Sequence, residues 1–319
     1  MAESGTAASA WVERVHALRF GRDVPGARRD EHGWTLAWRG PALMGVLNVT
    51  PDSFSDGGRL DGPEAAVAAG VQLFEEGALV VDVGGESSRP GADGVSEREE
   101  LRRTVPVVEE LTARGVRVSI DTVKAAVAEA AVAAGACLVN DIRGLADPDM
   151  RRVCARAGVP AVVMHMQGEP RSMQRAPRYR DVVGDVEAYL LASARQALDE
   201  GVPAVIIDPG IGFGKRLEHN LALLAASARL AGHGLPLLVG ASRKSMIQRL
   251  AGETSPLARL PGTLSLHLRA AQLGAAVLRV HDVSEHAQAL AVLRAVAEAE
   301  AATVASSVGE PARREPHRG

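Results

Sequence analysis

Aromatic side chains are scarce in this chain: Phe, Tyr and Trp together make up 3% of 319 residues. That argues against base stacking as a binding mode. A formal net charge of −3 leaves no bulk electrostatic case for nucleic acid. Cysteine is scarcer still. Cys137 and Cys154 are the two present; they form no spaced framework and read as buried, reduced thiols of a cytoplasmic protein. Neither HExxH nor CxxC occurs, which speaks against a zinc site. No apolar run approaches ~18 residues, so no membrane span is expected. Residues 1–10 lack the basic start and apolar core of a signal peptide.

What is present is a globular balance, 46% hydrophobic and 24% charged residues, enough to bury a large core. At about 150 residues per domain the length suggests two domains, but α/β barrels reach this size as one. From residue 41 a rhythm sets in. Apolar runs rich in Val, Ile and Leu cover 42–48, 78–83, 116–121, 136–141, 161–165, 204–208, 236–240 and 276–281. Each is nearly continuous until its last positions, as a strand buried on both faces should be. Between them lie stretches of helical period with start and stop signals. Pro63 opens one and Gly77 closes it; Ser96 and Glu99 form a capping box; Asp147-Pro148 opens another; and 183–201, 219–231, 260–273 and 284–301 follow. Eight strands alternating with helices predict a (β/α)₈ TIM barrel over 41–301. A doubly wound open sheet competes, but it would not bring eight strand ends to one crevice. Residues 1–40 hold a short alternating strand (Trp34, Leu36, Trp38) and are expected to form an N-terminal extension, a hairpin or lid over one end of the core. The stretch 302–319, Ala, Ser, Gly, Pro and Arg without an apolar face, is expected to be a disordered tail.

Polar residues gather at the carboxyl ends of the predicted strands: Asn48, Asp82, Asp121, Asn140, Asp141, His165, Asp208, Ser242, Arg279 and His281. The longest such stretch is MGVLNVTPDSFSDGG, Met44 to Gly58, a strand that breaks into an oxygen-rich loop. A carboxylate ending an apolar strand is costly unless it meets a donor. One such Asp is as often a helix N-cap. Asp82, Asp121 and Asp208 at corresponding strand ends, with Asn140, suit a planar heterocycle carrying amino and ring N–H groups. Lys244 in GASRKS and Arg279 in RVHDV supply cations. Arg279 and His281 point the same way along a strand, and together they suit phosphate oxygens. The glycine-rich DPGIGFGK is not a Walker A loop, because Pro209 occupies the first glycine position and Arg216 follows Lys215. G-x-G-x-x-G fails too, since Lys215 takes its last place.

MGVLNVTPDSFSDGG, DVGGESSRPGA, SIDT, NDI, MHMQGEPRSMQ, DPGIGFGK, GASRKS and RVHDV occur in this order. On these motifs the chain resembles the bacterial dihydropteroate synthases, over Pro41 to Ala301. The resemblance implies a (β/α)₈ barrel, commonly a homodimer, that joins p-aminobenzoate to 7,8-dihydropterin-6-ylmethyl diphosphate in folate synthesis with Mg²⁺. It implies a pterin held at its edge by Asp121, Asn140, Asp208 and Lys244 and walled by Ile142, Met164 and Phe213. It implies Asn48 as a Mg²⁺ ligand with Asp82 nearby, and Asn48, Arg279 and His281 about the diphosphate. Phe54, Ser88, Arg89, Pro90 and Ser245 would form the p-aminobenzoate pocket; Ser88 stands where many members carry Thr, and both offer a hydroxyl. Asp121, Lys244 and Arg279 would carry the chemistry. Two rivals lack support. A methyl-transferring pterin module has no use for a diphosphate clamp, and an inactive paralogue should lack Asp121, Lys244 or Arg279, all of which are present.

Overall fold

The structure is a computed structural model that describes residues 10–50, 62–87, 94–252 and 255–308. The expectations on Phe54, Ser88, Arg89 and Pro90 lie outside these residues.

A short helix α1 (Ala10–Glu13) precedes three strands, β1 (Val15–Phe20), β2 (Arg28–Asp30) and β3 (Gly33–Arg39). They form an antiparallel sheet in the order β1-β3-β2. The barrel strands follow: β4 (Ala42–Asn48), β5 (Ala78–Gly84), β6 (Val118–Asp121), β7 (Leu138–Asp141), β8 (Ala161–Met164), β9 (Val205–Asp208), β10 (Leu238–Val239) and β11 (Val277–Val280). They make an eight-stranded sheet in the order β10-β11-β4-β5-β6-β7-β8-β9, every described pairing parallel. A parallel bridge between Ile207 and Leu237 links β9 to the approach of β10 and closes the ring. The fold is the (β/α)₈ barrel.

The outer helices are α2 (Pro63–Glu75), α3 (Glu97–Ala113), α4 (Ala125–Ala133), α5 (Pro148–Ala157), α6 (Val182–Asp199), α7 (Leu217–Ala225), α8 (Ser227–Ala231), α9 (Ser245–Ala251), α10 (Leu260–Gln272) and α11 (Val283–Val308). Their starts obey local chemistry. Pro63 occupies the first turn of α2. The Ser96 hydroxyl accepts from the Glu99 N–H at 3.3 Å, and Asp147 and Asp181 cap α5 and α6 by accepting from the N–H groups of Asp149 and Val183.

Two local expectations are corrected, and two helices, α4 and α9, were not among those expected. The stretch 219–231 is two helices that meet at Ala226. Helix α9 lies in a segment that carries too little periodicity to be read as one. Helix α11 runs past Ala302 to Val308, so the tail is not disordered from 302 onward. An alanine-rich segment needs no packed face to stay helical, and the first breaker in the sequence is Gly309.

Along the strands, period-2 alternation assigns one set of residues to the barrel interior. At the amino-terminal end these are Met44, Val80, Leu138, Val162, Ile206, Leu238 and Val277, in one cluster with Leu18, Phe20, Val24 and Leu36 of the N-terminal sheet. The sheet therefore covers the amino-terminal end of the barrel. It is held there by polar bonds as well. Trp38 Nε1 donates to the Ala276 carbonyl at 3.1 Å, Arg22 Nη1 to the Val132 carbonyl at 3.1 Å, and Arg117 Nη1 to the Pro25 carbonyl at 3.1 Å. Gly21 donates its N–H to the Gly158 carbonyl at 2.8 Å. Gly158 is left-handed (φ 65°) where it caps α5, and a Cβ there would lie 2.7 Å from the Gly21 Cα, so only glycine fits this contact.

Candidate active site

Two residues further along the same inward faces, the chemistry changes. Val80 is followed by Asp82, Leu138 by Asn140, Val162 by Met164, Ile206 by Asp208 and Val277 by Arg279. The pleat that builds the apolar floor thus also aims these groups into the opposite end, where barrels of this architecture hold their sites.

Arg279 organises them. Its Nε donates to Asp82 Oδ2 at 2.6 Å and its Nη2 to Asp121 Oδ2 at 2.7 Å. Asn140 Nδ2 donates to the same Asp82 oxygen at 2.9 Å. Four strand ends that are distant in sequence therefore share one hydrogen-bonded set. Asp82 is fully buried, and its second oxygen, Oδ1, has no hydrogen-bond partner among the described residues. Burial raises the Asp121 carboxyl to about 7, against the lowering effect of Arg279. Burial works against the Arg279 charge, but Asp82 and Asp121 outweigh it and the guanidinium pKa is raised.

Asp208 ends β9 beside this set. Burial raises its pKa, while the Gly210 N–H, donating to Oδ1 at 2.7 Å, and the Lys244 charge pull it down. Lys244 Nζ sits 4.1 Å from the centroid of the Phe213 ring, a cation–π contact. Met164 is buried level with Asp208 where β8 pairs β9, and Ile142 is buried just past the end of β7, two residues after Asn140. His281 Nδ1 lies 2.9 Å from Ser242 Oγ, which also accepts the His281 backbone N–H at 3.3 Å. The hydroxyl can meet Nδ1 as donor or as acceptor, and a ring that accepts there presents its Nε2–H to the mouth. Burial holds that ring neutral, its pKa lowered to about 3.

Asn48 and Ser245 stand apart from these bonds. Asn48 is half-buried at the end of β4, level with Gly84 of β5. Ser245 is exposed in the first turn of α9. Asp141 is buried but turned into its own loop, where its oxygens accept the N–H groups of Arg143 at 2.8 Å and Leu145 at 3.1 Å. No group of three His, Cys, Asp or Glu side chains suited to a metal ion occurs among the described residues. Sequence reasoning missed Lys215. Its buried Nζ lies 2.9–3.0 Å from the carbonyls of His165, Gly210 and Phe213 and 3.0 Å from His165 Nδ1. The lysine pins the DPGIGFGK loop behind Asp208, and burial lowers its pKa to about 7. The signal was a Lys closing a glycine-rich segment after a strand. Reading it only as a failed phosphate loop hid its use.

Three comparisons bear on this arrangement. The family model described as "Pterin binding enzyme" matches residues 44–281. The dihydropteroate synthase of Escherichia coli (strain K12) is 45% identical over 266 residues, spanning 82% of this chain and 94% of that protein. The crystal structure of the Yersinia pestis dihydropteroate synthase in a sulfonamide drug complex superposes with a TM-score of 0.77 at 44% identity, covering 82% of this chain and 97% of the other. The Xanthomonas albilineans dihydropteroate synthase with 4-aminobenzoic acid gives a TM-score of 0.79 at 45% identity, covering 88% and 98%.

Proposed function

The chain belongs to the pterin-binding enzymes as a dihydropteroate synthase, and from that membership we propose how its own residues carry out the condensation of p-aminobenzoate with 7,8-dihydropterin-6-ylmethyl diphosphate in folate synthesis. The observation that carries the reading is the Arg279–Asp82–Asp121–Asn140 set, with Asp208 and Lys244 beside it. It offers paired acceptors and donors for an amino-heterocycle at the depth of the barrel mouth, with a cation next to them.

Asp121, Asn140, Asp208 and Lys244 bind the pterin edge, and Ile142, Met164 and Phe213 close on its faces. Arg279 has five N–H donors, of which Asp82 and Asp121 take two. The others, with the Nε2–H of His281, hold the diphosphate. The C–O bond to the exocyclic methylene breaks and its electron pair leaves on the diphosphate, whose charge Arg279 offsets. The electron-rich pterin carries the resulting cation, and the Asp121 carboxylate stabilises it. The arylamine nitrogen then forms the new C–N bond and loses a proton. A dissociative path of this kind needs no strong base.

Asn48, through its amide oxygen, and Asp82, whose Oδ1 has no partner among the described residues, would hold Mg²⁺. When bound, Mg²⁺ neutralises charge on the leaving diphosphate. Phe54, Ser88, Arg89 and Pro90, which lie outside the described residues, are assigned with Ser245 to p-aminobenzoate by the family motifs, and sulfonamides would compete there as arylamines bearing an acidic group. The chain works in the cytoplasm, a reading supported by two buried free thiols. No helix among the described residues is long and apolar enough to cross a membrane. The exposed Leu198 on α6 and Leu221 on α7, neighbouring helices, support a homodimer.

Purified protein supplied with the pterin diphosphate, p-aminobenzoate and Mg²⁺ should release diphosphate and dihydropteroate. Sulfonamide should raise the KM for p-aminobenzoate alone. No turnover would overturn the mechanism, and non-competitive inhibition would overturn the pocket assignment.

A further inference from the structure

The loop between β10 and α9, Gly240 to Lys244, brings Ser242 and Lys244 to the site. What holds it comes from the other side. The N–H of Ala241 donates to His267 Nε2 at 2.9 Å, and the N–H of Arg243 donates to Thr263 Oγ1 at 3.0 Å. Thr263 and His267 are one turn apart on α10, on the same face, and both are fully buried. The Arg243 carbonyl accepts from Arg259 Nη1 at 2.9 Å. The alternation is complete: Ala241 and Arg243 are gripped by their backbones from α10, so Ser242 and Lys244 face the mouth.

The grip extends to the next strand end. Because the Ala241 N–H is the donor, His267 Nε2 carries no proton and Nδ1 must. That proton meets His286 Nε2 at 2.9 Å, and His286 Nδ1 donates in turn to the Asp282 carbonyl at 2.6 Å. The chain of donors runs one way through two neutral, fully buried rings. Burial lowers the pKa of both. It ends on the residue after His281, whose own side chain meets Ser242. Arg243 adds an ion pair to the Asp282 carboxylate, with Nε 3.2 Å from Oδ2. Arg243 itself is left-handed at φ 57°, which a non-glycine residue adopts only when its surroundings hold it there.

We propose that Thr263 and His267 of α10, with His286 of α11, are positioning residues that fix the Lys244 loop against the His281 strand end and so set the spacing of the pterin and diphosphate ends of the site. The proposal rests on the function assigned above. These three side chains are not placed against substrate. They act through the backbone of residues that are.

The test is steady-state kinetics on Thr263→Val, Thr263→Ser and His267→Leu, with Leu36→Ala as a control that lowers stability at the other end of the barrel. Valine keeps the volume of threonine and loses the acceptor; serine keeps the acceptor. A misplacement near 1 Å costs about 100-fold in rate. Thr263→Val should therefore raise the KM for the pterin diphosphate and lower kcat, together by about 10- to 100-fold in kcat/KM. Thr263→Ser should restore both, and His267→Leu should move them the same way. Leu36→Ala should lower Tm and leave both constants unchanged. If His267→Leu does not fold, Thr263→Val decides alone. Wild-type constants in Thr263→Val, or no rescue by serine, overturn the positioning role. A wild-type enzyme without turnover overturns that role together with the function on which it rests.

Discussion

The two ends of this barrel are built from the same strands and the same inward face, yet they do opposite things. At the amino-terminal end Met44, Val80, Leu138, Val162, Ile206 and Val277 meet the N-terminal sheet in a continuous apolar floor. Two residues on, the same pleat presents Asp82, Asn140, Met164, Asp208 and Arg279. The floor gains free energy by removing apolar surface from water. The mouth spends some of it: it buries carboxylates, leaves one Asp82 oxygen unpaired among the described residues and raises the Asp121 carboxyl to about 7. Stability and chemistry are thus separated along the barrel axis by about two residues of strand, ~7 Å.

The separation can be broken from either end. The largest effect should come from the floor. Phe20 is 3% exposed beneath the barrel, and Phe20→Ala should cost about 3–5 kcal/mol of stability. Denaturant unfolding should show this while the folded enzyme keeps its kcat/KM; a parallel fall in kcat/KM would mean the floor reaches the site. From the mouth, Asp121→Asn and Lys244→Ala should each cost on the order of 3 kcal/mol in transition-state binding. Asp121→Asn should also lower Tm, because it takes a charged partner from the buried Arg279, whereas replacement of the half-buried Lys244 should leave Tm near the wild-type value. Near-normal kcat/KM in either variant would remove that residue from the pterin site.

Acid should weaken the mouth before the floor. Burial lowers His165 and His281 to about 3, and His267 falls well below its ordinary 6.5. The unfolded chain therefore binds protons that the folded one refuses between about 6.5 and 3, so this stability is present above 6.5 and lost as pH falls. Asp121, raised to about 7, and Asp141, raised to about 6, act in the opposite direction. Asp208, also raised, joins the carboxylates, and His286, also lowered, joins the histidines; with four histidines against three carboxylates, stability falls as pH falls. Half-buried His16, lowered to about 4, is the floor's own contribution. A Tm that stays flat from pH 6.5 to about 4.5 would show that the mouth takes up protons without unfolding. The smallest effect belongs to neither end. Trp11 and Val12 pack on Ala297 of α11, so deleting the residues after Ala302 should leave activity and Tm unchanged, and a clear loss in an activity assay would show that this stretch is docked.

Much of this was legible in the residues. Continuous apolar runs followed by Asp, Asn or Arg identified the eight strands and their mouth ends, because a strand buried on both faces tolerates a charge only where the barrel opens. Helix starts were legible where a cap residue marks them, as at Ser96 and Asp147. Helix ends were less so: nothing in the sequence before Gly309 stops α11, and α9 is too short to show a period. The candidate site residues were legible as a set of strand-end groups, but not as a network. Lys215 stood out only as the close of a glycine-rich segment, which does not say that it holds three carbonyls, and Thr263 carried no signal, since a threonine that accepts one N–H looks like any other in a sequence.

The sequence by itself determined the strand count, the face on which each strand-end group points, and which groups are available for chemistry. These follow from local period and from the cost of burying charge, both properties of a few consecutive residues. The tertiary structure alone decided which end the N-terminal sheet would cover. It joined Arg279 to Asp82 and Asp121 across 197 and 158 residues of chain. It also made α10 hold the Lys244 loop from behind. Those are contacts between segments far apart in sequence, and they exist only once the ring of strands has closed and fixed the distances between its ends.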